Sequence, residues 1–371
     1  MVNPIYQQGE ELLLNQFGSK YLGVAAHTNV NSNEFIIQED AVISVLTGGD
    51  SSIAANNVDY KASMSLSGVT LKQGALIVAP QGESFQSMTI DSGTIMTYDS
   101  VVSGTKPSAV PLLLDSYPDA AAAYSLRKLR TDYTGPAIEA RKTVAGTTST
   151  QDIGFVNGEL DTVLLLTFAD GGDVFVAKWY DQSGNVNDVA QVSASAQPKI
   201  VSSGVVVTTS GNYAIDFSGA TKTLVNATFN NSTQVSSVFT IVKSTSLAPQ
   251  VITDGVDLAS RQVSGYYAGS PSVFAINKGV TIKSAVPINT NINLLSTFFD
   301  VNSDLYLNGE QILNSVNAGS HTREGFTLGS GLGSAASFEG SIFEVIVFDQ
   351  QNKSSDRVGI ETNINTHYTI Y

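Results

Sequence analysis

From Ala137 onward the chain keeps returning to one local pattern. Short runs of β-branched and aromatic residues, several alternating apolar and polar positions, are cut off by Gly, Asn or Asp. Such runs occupy Ala137–Lys142, Val174–Tyr180, Ala214–Phe217, Ser237–Val242, Ser272–Ile276, Leu294–Phe299, Asp304–Leu307 and Ser341–Phe348. Successive side chains of a strand point to opposite faces, so alternation at period two turns one face toward a core and the other away. Eight such segments argue for two packed antiparallel sheets, a β-sandwich or jelly roll. Asn308-Gly309, between Leu305-Tyr-Leu307 and Gln311-Ile-Leu313, marks a hairpin, because a type I′ turn needs positive φ at both central residues.

The N-terminal third reads as a smaller all-β module. Ala41–Leu46, Ala75–Ala79 and Met88–Ile90 are short β-prone runs, and Gly74, Gly82 and Gly93 recur near the spacing of successive strands in a small sandwich. Ser100–Ser108 is rich in small turn formers and contains Pro107, which suits a linker. The expected organisation is an arm and β-module at 1–105, a linker at 106–114 and a sandwich at 115–371. Residues 1–38 show no core of their own: Glu10–Asn15 reads as a short helix or an extended arm, and the segment as one that packs on another subunit or as a mobile terminus. Within the sandwich, the run from Asp119 to Arg130 predicts one short helix, with Asp119 as N-cap and Tyr124, Leu126 and Leu129 near one face.

Charge narrows the partners. Nineteen Lys plus Arg against 33 Asp plus Glu leave a net charge of −14, a field that repels nucleic acid and anionic lipid. The absence of Cys removes disulfides and thiolate metal sites. The N-terminus lacks a basic stretch followed by an apolar one, and no run approaches the ~18 apolar residues of a membrane span. Synthesis in the cytoplasm without Sec export is expected.

Four segments in order carry a resemblance: Tyr124–Leu129, Ala137–Arg141, Trp179-Tyr-Asp-Gln-Ser-Gly-Asn-Val-Asn187 and Phe338-Glu-Gly-Ser-Ile-Phe-Glu-Val-Ile-Val-Phe-Asp349. Together they resemble the concanavalin A-like (LamG-like) sandwich, and within it the catalytic domain of fungal α-L-arabinofuranosidase B, over residues 115–371. That resemblance implies a retaining glycosidase with two carboxylates about 5–5.5 Å apart. It also implies an acid/base Asp in the Gly-rich stretch before the Phe-x-Glu-Gly strand, and the matching stretch here, Leu328–Phe338, contains no carboxylate. Asp254 and Asp257 lie in the region that would supply the nucleophile, with no matching Glu. The expectation is therefore that the chain is not an enzyme and has no catalytic residues.

Trp179, Tyr180, Asp181, Gln182, Asn185 and Asn187 form a candidate carbohydrate-binding loop, with two aromatic faces able to stack on a pyranose beside a polar run. The same residues also suit a tight turn in which Asp181 and Asn185 cap backbone groups while the aromatics fill the core. No cofactor is called for, although Asp170-Gly-Gly-Asp173 and Asp300-Val-Asn-Ser-Asp304 supply oxygen ligands of the kind Ca²⁺ takes. His27, His321 and His367 lack partners at ligand spacing. Tyr266-Tyr267 followed by Gly269 reads either as the lining of a concave surface or as one strand showing alternate faces.

Val42–Thr47, Gly74–Pro80 and Phe85–Met96 are similar to the attachment modules of tailed-phage head-fibre and capsid-decorating proteins. This second resemblance implies a virion structural protein. Its first unit would anchor it to a major capsid protein or another fibre protein, as a homotrimer, and its sandwich would face outward to bind surface glycans. A glycoside hydrolase of the arabinofuranosidase type and a bacterial surface adhesin are the alternatives.

Overall fold

The computed structural model describes residues 19–50, 58–59, 69–73, 76–78, 83–99, 112–219, 221–267, 271–332, 336–349 and 353–371. The Glu10–Asn15 run, the Ser100–Ser108 stretch and Gly74, Gly82 and Gly269 lie outside these residues. The chain divides into two compact units, Met1–Val110 and Pro111–Tyr371.

The first unit is built on two long strands. β1 (Ser19–Leu22), β2 (Ala25–Asp50) and β3 (Glu83–Asp99) are antiparallel, and β3 lies between the other two. Short strands at Val58–Asp59, Thr70–Leu71 and Leu76–Val78 add to β2. A row of separate short strands was expected; instead β2 runs for 26 residues. Repeated register shifts against β3 account for it, because each bulge bends and twists a strand without ending it. Ile37, Ala41, Ile43, Leu46, Phe85, Met88, Ile90 and Ile95 form its core.

In the second unit the chain runs through α1 (Leu113–Ser116), β4 (Ala122–Ser125), β5 (Ile138–Val144), β6 (Thr147–Ile153), α2 (Thr162–Ala169), β7 (Val174–Trp179), β8 (Lys199–Ser202) and β9 (Leu224–Asn226). It continues through β10 (Ser236–Ser244), β11 (Gln250–Asp254), β12 (Val263–Tyr267), β13 (Val273–Asn277), β14 (Thr281–Pro287) and β15 (Ile292–Phe299). It ends with β16 (Ser303–Leu307), β17 (Glu310–Val316), β18 (Phe326–Leu328), β19 (Gly340–Asp349) and α3 (Arg357–Tyr368). All pairings are antiparallel. One sheet has the order β17-β16-β15-β10-β19-β4. The other runs β14-β13-β12-β11-β18-β9 and continues through Val189–Ala190 into β7, β5 and β6. β8 and Ile215–Asp216 join the two. This is the all-β antiparallel sandwich that the alternation implied.

The first sheet is buried on both faces, which is why Ser341–Phe348 reads as a nearly continuous apolar run. Val345 and Val347 enter the inter-sheet core with Trp179, Tyr124 and Phe326. Phe343, Ile346 and Phe348 pack with Ile360, Ile364 and Tyr368 of α3. A register shift in β19 puts both Phe343 and Glu344 within reach of Tyr368. Glu344 is fully buried and accepts hydrogen bonds from Arg127 (2.8 and 2.9 Å), Ser125 (2.7 Å) and Tyr368 (3.1 Å). At the β16–β17 turn, Asn308 and Gly309 both take positive φ, as the Asn-Gly pair requires.

The helix expected at 119–130 is instead strand β4. Asp119 has φ +70°, so it cannot serve as a helix N-cap, and Ala122–Ser125 pairs with Val347–Glu344. The open edge of β19 offers a full ladder. It also sends Tyr124 into one core and Ala123 into the other, which outweighs the helix preference of four alanines.

Candidate functional site

The 179–187 loop leaves β7 and is fastened to β4 and the turn before it. Trp179 ends β7 on the inward face and is 0% exposed, its ring 6.0 Å from that of Tyr124. It therefore belongs to the core and offers no face for a sugar. Tyr180 is half-buried; its hydroxyl donates to Asp152 at 2.8 Å, and Lys178 lies over its ring. Buried Asp181 accepts hydrogen bonds from Ala123 N, Ser183 N, Ser183 Oγ and Asn187 N at 2.7–3.0 Å. Burial raises its carboxyl despite those donors. Gln182, also buried, accepts from Leu129 N and donates to the Ser125 and Arg127 carbonyls. Asn185 and Asn187 donate to the Ala120 and Ala121 carbonyls. The loop is thus chiefly a polar clamp, and of its six candidate residues Asn185 alone is exposed.

Asn185 and Asn187 nonetheless border an open depression of about 480 Å³ whose lining also includes Asp119, Thr228, Asn230 and Asp349. Its exposed lining residues, Asp119, Asn185, Thr228 and Asn230, carry carboxylate, amide and hydroxyl groups, the donors and acceptors that fix polar ligands. Asp349 is paired with Arg323 at 2.6 Å. The Arg323 guanidinium also donates to the Gly325 carbonyl and lies against Phe229 and Phe326, 4.8 and 4.9 Å from their centroids. Asp349 Oδ1 and Arg323 Nη1 are buried without hydrogen-bond partners, and burial raises the Asp349 carboxyl against the pull of Arg323. Of this lining only Asn185 and Asn187 were legible as candidates in the sequence; Asp119, Thr228, Asn230 and Asp349 come from other segments and join them only in the fold.

A second polar centre sits at the end of β11. Asp254 is fully buried and accepts from Gly255 N, from two nitrogens of Arg261 and from Leu332 N at 3.1 Å. Burial pushes its carboxyl up, opposed by Arg261. The fold therefore carries Asp254 to the Gly-rich stretch that has no acid of its own. Asp257 is exposed and caps a turn at Ala259. Of the turns considered for Ca²⁺, Asp173 is engaged by Lys199 and Ser203 N, while Asp304 accepts from Gln311 and Ser315 N. Among the described residues, no group of three or more His, Asp or Glu is placed to hold a metal ion.

No protein-family model matches the chain, and no curated protein does. Solved structures do. One is an arabinofuranosidase complexed with arabinofuranosyl-α-1,2-xylobiose, at TM-score 0.52 and 13% identity, covering 68% of this chain and 64% of that one. Another is a GH54 α-L-arabinofuranosidase soaked with a cyclic sulfate inhibitor, at TM-score 0.50 with the same identity and coverage. At 13% identity the likeness is one of fold, and this chain spans under two thirds of their length. It corrects the expectation that the chain is not an enzyme, because the sandwich is one that glycosidases share. The expectation rested on residues 328–338 having no carboxylate, but acids are supplied across strands, as Asp254 at Leu332 demonstrates.

Proposed function

We propose that the second unit is a glycan-directed sandwich that recognises its ligand in the depression between Asn185, Asn187, Thr228, Asn230 and Asp349. The observation that carries this reading is the convergence of the exposed polar side chains of Asn185, Thr228 and Asn230 on one open surface, in a sandwich whose solved neighbours include an arabinofuranosidase complexed with arabinofuranosyl-α-1,2-xylobiose. Sugar hydroxyls are bound by such donor and acceptor sets. The test is affinity electrophoresis of the full chain against a panel of polysaccharides. Thr228→Trp, which fills the depression from an exposed position, is expected to abolish the retardation. Equal retardation of variant and native protein would place the ligand elsewhere.

The first unit, by its resemblance to phage attachment modules, then carries the sandwich on a virion. There it holds the major capsid protein or another fibre protein, and the chain forms a homotrimer. Many copies would make weak individual sites effective. Gold labelling of purified particles with antibodies to residues 115–371 tests this placement; bare particles would refute it.

A second reading, hydrolysis of a glycosidic bond, is favoured by the contact between Asp254 and the Leu332 backbone. Release of 4-nitrophenol from an α-L-arabinofuranoside, lost in Asp254→Asn, would support it. No release by the native protein would remove it.

A further inference from the structure

The outward face of the second sheet carries a cationic row that the function proposed above does not use. Phe175 of β7 is the direct cross-strand partner of Arg141 on β5 and of Lys199 on β8. The cationic groups of Arg141, Lys199 and Lys222 lie 4.9, 5.6 and 5.8 Å from the centroid of this one half-buried ring. Three of the chain's 19 basic residues thus meet at one point on a molecule of net charge −14.

Their partners are unequal. Lys199 has a carboxylate, Asp173, at 2.7 Å. Arg141, only 7% exposed, donates to Gln197 Oε1, Thr143 Oγ1 and the Ala194 carbonyl, all neutral acceptors. Lys222 donates to the Ser195 carbonyl. A cation taken out of water is ordinarily matched by an anion, since neutral acceptors recover only part of the lost hydration. Burial depresses the Lys222 ammonium, and repulsion from Lys199 and Arg141 adds to it against the attraction of Asp216. The ring faces account for attraction of each cation singly, but not for gathering three that repel one another.

We propose that Arg141, Lys199 and Lys222 around Phe175 form a subsite for an oxyanion carried on a glycan. The inference rests on the glycan-directed reading and deepens it by assigning the ligand an acidic residue. The acid is sparse along the polymer. At a Debye length of about 8 Å, a single oxyanion in contact with the row feels chiefly these cations. A polyanion as dense as nucleic acid, with one charge per about 1.7 Å, also meets the acidic surface around them. A carboxylate and a sulfate ester satisfy the same donors.

The test uses the full chain and three polysaccharides on one backbone: a sparsely substituted glucuronoxylan, its carboxyl-reduced form, and the reduced form re-substituted with sulfate at the same density. Native protein is expected to bind the carboxylated form, the sulfated form or both about tenfold more tightly than the reduced form. Lys222→Gln, at a partly exposed position, is expected to erase that preference, as is Lys199→Gln. Lys72→Gln, an exposed change in the first unit with the same loss of charge, is expected to leave it intact. Unfolding midpoints confirm that each variant is folded. Equal affinity for all three polymers overturns the subsite while leaving glycan recognition standing. Loss of the preference in Lys72→Gln overturns it in favour of overall charge. Binding to none of the three overturns the subsite, the glycan reading being decided separately by the wider polysaccharide panel, and preference for one acidic form names the oxyanion.

Discussion

Glu344 offers the sharpest test of how the sandwich holds its outer helix. Its carboxylate is 0% exposed, Arg127 is 11% exposed, and the pair shares two hydrogen bonds, with Ser125 and Tyr368 donating to the same carboxylate. Glu344→Gln keeps the shape but takes from the buried guanidinium the carboxylate it is hydrogen-bonded to. Removing one member of a buried pair costs about 3–5 kcal/mol, far above the about 0–1 kcal/mol of an exposed pair. With a urea m-value of about 3 kcal/mol/M, at the upper end for small proteins, the midpoint falls by about 1–1.7 M. The chain has one tryptophan, and Trp179 lies in the sandwich core, so its emission reports this unit without signal from the first. Burial alone would raise the Glu344 carboxyl, but Arg127 and the hydroxyl of Ser125 outweigh it and hold it below its ordinary 4.5. Because the folded value is depressed, the stabilisation is fully present above about pH 4.5 and is lost as pH falls through the folded value. The gap between native and variant midpoints should therefore narrow as pH falls below about 4.5. A midpoint shift under about 0.3 M at pH 7, roughly 1 kcal/mol, would refute the reasoning, since the pair would then contribute no more than a solvated one.

Two other outcomes follow from the packing. Trp179 emission should be blue-shifted and poorly quenched by acrylamide in the native protein; quenching as strong as that of free tryptophan would mean the ring is accessible after all. Gly340→Ala should lower the sandwich midpoint by more than the about 1 kcal/mol typical of point mutants, because φ there is +152° and an added Cβ would stand 2.1 Å from the Lys243 carbonyl oxygen. A midpoint within about 0.2 M of native would show that β10 and β19 separate at little cost.

What the sequence determined by itself is the set of strands and their faces. Alternation at period two located β5, β7, β10, β13, β15, β16 and β19, and Asn308-Gly309 located a hairpin, because side-chain direction and turn angles are properties of a few consecutive residues. That the apolar run 341–348 is covered on both faces emerged only when the second sheet packed on one side and α3 on the other. Which strands lie side by side is not a local property, and there the tertiary structure decided. The free edge of β19 drew Ala122–Ser125 out of a helical pattern into a ladder. The same assembly put Trp179 in the core, brought Asp254 to Leu332, and lined up Arg141, Phe175 and Lys199 from strands up to 58 residues apart. A period of two tells each residue which way to face; the neighbour it faces beside is chosen only when the sheets close and the cost of burying each charge is settled against its surroundings.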